Sequence, residues 1–103
     1  MTETPEYYNA PGHDSGPEPD TLLPFHDPSY RQPEWADIRA VVQISGLSGL
    51  ELANLVGVSS RTVRKWLSPP MTANHAPMPY AAWRLLLIAC NLAAPPAIDK
   101  LSA

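Results

Sequence analysis

A chain of 103 residues with a formal net charge of −3 is long enough for one small domain and too short to combine a packed core with a deep enclosed cavity. Its one cysteine, Cys90, excludes an internal disulfide and fits a reducing, cytoplasmic setting. The longest apolar run, residues 85–90, is far too short to span a bilayer, and the N-terminus has neither a basic leader nor an apolar h-region, so neither a membrane protein nor a signal peptide is expected.

The charges are segregated. Residues 1–30 hold Glu3, Glu6, Asp14, Glu18, Asp20 and Asp27 with no Lys or Arg, together with Pro5, Pro11, Pro17, Pro19, Pro24 and Pro28. Such a composition buries too little apolar surface to offset the entropy of ordering it, which predicts an acidic arm over 1–30 that is disordered or loosely docked. The apolar island Leu22-Leu23-Pro24-Phe25 within it is either a docking segment for a partner or a strap packed on the domain. Residues 31–103 carry all seven basic residues against Glu34, Asp37, Glu51 and Asp99, a modest excess of positive charge. The six tethered carboxylates can compete with phosphate for that basic part, or serve only as a solubilising tail.

A first helix is expected to open at Pro33, with Glu34 and Asp37 at the positive end of its dipole. Trp35, Ile38, Val41 and Val42 form its inward stripe, and Ser45-Gly46 ends it.

Two short helices follow, at about 48–56 and 59–67. Ser48 and Glu51 have the spacing of a capping box. Leu52, Ala53, Leu55 and Val56 repeat at helical period, and Ala53 is small enough for a close helix crossing. Gly57 stands where the chain reverses and a left-handed backbone is needed. Val58 fills the turn and Ser59 caps the second helix. Val63, Trp66 and Leu67 then point inward, which leaves Ser60, Arg61, Arg64 and Lys65 on the outer face. This is the pattern of a DNA-binding helix-turn-helix. The candidate DNA-binding residues are Ser59, Ser60, Arg61, Thr62, Arg64 and Lys65. Arg61 and Arg64 can reach guanine edges bidentately, and Lys65 with Ser59 or Ser60 suits phosphate.

Residues 68–78 form a loop stiffened by Pro69, Pro70 and Pro77; its Thr72, Asn74 and His75 either touch a DNA backbone or a partner, or only connect two helices. A last helix opens at Pro79 and runs to about residue 93, stopped by Pro95-Pro96. Tyr80, Trp83, Leu86, Leu87 and Cys90 share one face, and Leu85, Ile88 and Leu92 extend the apolar surface around the helix. A helix apolar on more than one side needs cover from two directions. A second subunit can supply it, with Trp83, Leu87 and Cys90 as the expected dimer contact and Arg84 on its rim; the alternative cover is the first helix and the arm.

His13, His26, His75 and Cys90 lack metal-ligand spacing, no glycine-rich phosphate loop follows a strand, and no residues are arranged for acid–base catalysis. No cofactor, metal or enzymatic activity is expected.

From His26-Asp27-Pro28 to about residue 97 the chain resembles the small helix-turn-helix repressors called anti-CRISPR-associated proteins. The similarity lies in that lead-in, in Gly46-x-Ser48 and Gly57-x-Ser59, in the proline-containing loop followed by Pro79-Tyr80, and in the closing Pro95-Pro96. The resemblance implies a homodimer that binds an inverted repeat in its own operon's promoter and represses transcription, often beside genes that inhibit CRISPR defence. By position, Ser60, Arg61, Arg64 and Lys65 match the family's DNA-reading helix. Leu50 and Glu51 stand where similar proteins can carry arginines, so the first motif helix is not expected to supply a phosphate contact.

The expected architecture is therefore an all-α, small helix-turn-helix domain of about four helices over 31–97, with its last helix dimerising, a flexible acidic N-terminal arm over 1–30 and a tail over 98–103. The expected partners are double-stranded DNA carrying an inverted repeat and a second copy of the chain. The alternative function is a protein-interaction adaptor that uses the same fold without DNA.

Overall fold

A computed structural model describes residues 16–95 of the chain. Glu3, Glu6, His13 and Asp14 of the expected arm, the Pro96 stop and the 98–103 tail lie outside the described residues. The described part is all-α. A short 3-10 helix, Pro19–Leu22, precedes four α-helices: α1 Trp35–Ser45, α2 Gly49–Val56, α3 Ser60–Leu67 and α4 Tyr80–Ala89.

Local chemistry sets most of these boundaries. Ser48 Oγ accepts from Glu51 N–H (3.1 Å), and Glu51 Oε1 accepts from Ser48 N–H (2.8 Å), so the expected capping box opens α2. Gly57 ends α2 at φ +80°, with its N–H and that of Val58 both donating to Ala53 O, at 2.8 and 3.1 Å. Ser59 Oγ accepts from Thr62 N–H (3.1 Å) and caps α3.

Two boundaries differ from the sequence expectation. The first helix starts at Trp35 rather than Pro33; Pro33 is buried ahead of it, and Asp37 Oδ2 accepts the Glu34 N–H at 2.8 Å. The last helix stops at Ala89, before the expected end near Ala93. Asn91 adopts φ +62°, and the N–H groups of Asn91 and Leu92 turn back to Ile88 O and Leu87 O at 3.0 and 2.9 Å. Asparagine tolerates the left-handed backbone this termination motif needs, so the helix closes ahead of the prolines.

The core lies where the four helices meet. Ile38 and Val41 of α1, Leu52 and Ala53 of α2, Val63 and Trp66 of α3, Met78 of the loop, and Trp83, Leu86 and Leu87 of α4 are buried together. Ala53 is 1% exposed in this core, and α2 packs against α3. Removing this apolar surface from water is the main driving force of the fold, at about 25 cal/mol per Å².

Residues 16–30 lie packed on α1 and α4. Thr21 O accepts from the Trp83 indole (2.9 Å), Leu22 O accepts from Arg84 (2.6 Å), and Asp37 Oδ1 accepts from Glu18 N–H (2.9 Å). Phe25, Tyr30 and Tyr80 close the segment with a ring triangle whose centroids lie 5.0–5.7 Å apart. Burial and the neighbouring Tyr80 hydroxyl push the Tyr30 hydroxyl above its ordinary range. The composition that predicts a loose arm holds few apolar side chains, but its backbone supplies carbonyls and an N–H that α1 and α4 bind directly.

Candidate DNA-binding surface

Helix α3 is divided sharply. Val63 is fully buried and Trp66 is 3% exposed, while Arg61 and Arg64 on the opposite side are exposed and Lys65 is half-buried beside them. Residues 61, 64 and 65 are spaced three and four apart, so one face of the helix presents all three cations. Among the described residues no carboxylate pairs with any of them. Their charge is therefore uncompensated among the described residues.

The remaining candidates stand at the start of the same helix. Ser59 is exposed, and Ser60 and Thr62 are half-buried. The Ser59 hydroxyl is engaged with Thr62, accepting its N–H and lying 3.1 Å from its Oγ1. All six sequence-predicted residues thus fall on one turn and a half of α3 and its cap. The structure also brings to them a residue that the helix pattern could not assign: Asn74, from the following loop, lines a cleft with Arg61, Arg64 and Lys65.

The orientation of α3 is fixed at its C-terminal end, where an α-helix leaves carbonyls without partners. The Trp35 indole donates to Leu67 O (2.9 Å), Ser68 Oγ donates to Arg64 O (2.7 Å), and Ala76 N–H donates to Lys65 O (3.1 Å). Trp35, expected only as part of an apolar stripe, is thus a hydrogen-bonding clamp on α3, with the Arg39 guanidinium 5.2 Å from its ring centre.

The three residues expected at a dimer contact lie at different depths. Trp83 and Leu87 are both 0% exposed within a single chain, so neither has area left for a second copy. Cys90 is half-buried, and burial pushes its thiol above the ordinary range. Arg84, expected on the rim, binds the Leu22 carbonyl instead. The apolar surface that α4 does leave outward is formed by Ala81, Leu85 and Ala89, with Ile88 and Leu92 half-covered beside them.

Among the described residues no cluster of His, Cys, Asp and Glu could hold a metal, and no helix is long and apolar enough to cross a membrane.

The chain matches no family model. It is similar to two Escherichia coli proteins, each described as transcriptional repressor protein KorC. One is 40% identical over 72 residues, covering 67% of this chain and 75% of the relative. The other is 35% identical over 60 residues, covering 55% of this chain and 65% of the relative. An all-helical domain that holds an uncompensated basic helix on a rigid core accords with these relatives, and the chain belongs to the KorC family of transcriptional repressors, regulators rather than enzymes.

Proposed function

We propose that this chain represses transcription by binding double-stranded DNA through α3, at an inverted repeat in the promoter of its own operon. The observation that carries the reading is the uncompensated face of Arg61, Arg64 and Lys65 on a helix whose other face is locked in the core. In helix-turn-helix proteins the start of the second helix enters the major groove. Arg61 and Arg64 read guanine edges there, Lys65 neutralises phosphate, and Ser59, Ser60 and Thr62 line the approach to the backbone. Similarity to KorC repressors supports this reading. The His26-Asp27-Pro28 lead-in and the Pro79-Tyr80 opening support a mobile-element operon, one with an inhibitor of CRISPR defence being the kind the resemblance implies.

An inverted repeat requires two copies of α3 about one DNA turn, roughly 34 Å, apart. The outward stripe of Ala81, Leu85 and Ala89 carries no charge and suits twofold pairing of α4, with Cys90 at its margin. An adaptor function has less support. Most of its candidate docking island is engaged: Leu22 and Leu23 are half-buried, their carbonyls face Arg84, and Phe25, though exposed, meets Tyr80 edge-on.

The test is a titration of promoter DNA with the wild type, Arg61→Ala and Arg64→Ala. Each substitution is expected to cost about 1–3 kcal/mol of specific binding. Normal promoter binding by the Arg61→Ala/Arg64→Ala double variant contradicts the proposal.

A further inference from the structure

The loop between α3 and α4 is folded back on α3 rather than trailing from it. Thr72 closes on Pro69 O through its N–H (3.0 Å) and its hydroxyl (2.8 Å), and the His75 N–H donates to Thr72 O (3.2 Å). His75 Nδ1 donates to Ser68 O (2.8 Å), and the Ala76 N–H is spent on Lys65 O (3.1 Å). Pro69, Pro70 and Pro77 remove further backbone freedom. A loop tied at so many points loses little entropy when it meets a ligand.

Asn74 is the residue this scaffold presents. It is exposed, and its side-chain amide has no partner among the described residues. With Arg61, Arg64 and Lys65 it lines a cleft of about 180 Å³. That is below the size of ordinary small-molecule sites, roughly 300–1,000 Å³. Three cations and one neutral amide form its walls, so the group it fits is a single anion at the edge of a larger ligand.

We infer that the loop over residues 69–76 is a second DNA-contacting element, and that Asn74 donates its amide to a backbone phosphate next to the one held by Lys65. This rests on the reading of α3 as the DNA-binding helix and adds a contact from outside the motif. An amide contact to phosphate strengthens binding to every sequence, because the backbone is the same everywhere. Being neutral, Asn74 releases no counterion, so its contribution leaves the salt dependence unchanged, unlike that of a lysine.

The experiment titrates promoter DNA and a random duplex with wild-type, Asn74→Ala, Asn74→Asp and Asn74→Lys protein at two salt concentrations. Thermal melts check that each variant folds, and Arg61→Ala/Arg64→Ala serves as the control. Asn74→Ala is expected to bind both duplexes about threefold to tenfold more weakly with an unchanged salt slope. Asn74→Asp binds more weakly still, and Asn74→Lys recovers affinity with a slope steeper by about 0.9. Three Asn74 variants that all bind like the wild type, beside a control that has lost binding, overturn the loop contact and leave the α3 reading intact. A loss confined to the promoter, with random-duplex binding unchanged, overturns the phosphate assignment. Unchanged binding in the control and in the Asn74 variants overturns both.

Discussion

The indole Nε1 of Trp35 donates to the carbonyl of Leu67 at 2.9 Å, joining the first residue of α1 to the last of α3 across 32 positions of sequence. The bond meets one of the carbonyls that a helix end leaves open, and it holds the basic helix to its neighbour at the end away from its capped start. Trp35→Phe keeps most of the ring and removes the donor. It is expected to cost about 1 kcal/mol, and to lower the melting temperature by about 4–8 °C in a domain of this size. Circular dichroism melts measure this directly. An unchanged melt would show that Leu67 O finds water as readily as it finds Trp35.

Asp37 joins residues 16–31 to α1. It is fully buried, its two oxygens accept from Glu18 N–H and Glu34 N–H, and Arg31 NH1 lies 3.6 Å away. Asp37→Ala leaves both N–H groups and the guanidinium without this acceptor, at an expected cost of about 2–4 kcal/mol in urea unfolding. A loss below about 0.5 kcal/mol, the scale of an ordinary surface substitution, would mean that the strap does not depend on this carboxylate.

The helix-turn-helix was legible because its determinants are local. Ser48 with Glu51, Gly57, and Ser59 each act within a few residues, and the period of Leu52, Ala53, Val63 and Trp66 points to the buried side. The ties of the strap were not legible. Trp83 and Thr21 are 62 positions apart, and nothing near Thr21 announces that its carbonyl will meet an indole. Asp37 was readable as a dipole partner of α1, but a strap N–H as its second donor has no local signature. Asn74 was visible only as a polar loop residue, because its place beside Arg61 and Lys65 depends on how the loop folds back. The burial of Trp83 and Leu87 within one chain was not legible either. Both faces of α4 are apolar, and periodicity cannot say which of them the strap and the other helices cover.

That covering separates two substitutions on α4. Leu87→Glu places a charge in the core and is expected to unfold the domain. Leu85, 39% exposed on the outward stripe, can take a glutamate without disturbing the core. Leu85→Glu is expected to stay folded, to remain monomeric in light scattering at micromolar concentration, and to lose cooperative binding to an inverted repeat. Leu85→Glu protein that dimerises like the wild type would place the contact elsewhere.

Lys65 differs from the two arginines in what its loss should change. As a phosphate contact it contributes to all sequences alike. Lys65→Ala is expected to weaken promoter and random DNA by a similar factor and to flatten the slope of log K against log salt by about 0.9. A loss restricted to the promoter would make Lys65 a base reader instead.

The most direct measurement of the central claim is a fluorescence-anisotropy titration of the full chain with its own promoter duplex and a random duplex, at low and at physiological salt. Sequence-specific repression through α3 predicts that both duplexes bind at low salt. At physiological salt the promoter should remain bound about a thousandfold or more tighter than random DNA. No binding at low salt, or equal affinity for the two duplexes at physiological salt, would contradict it.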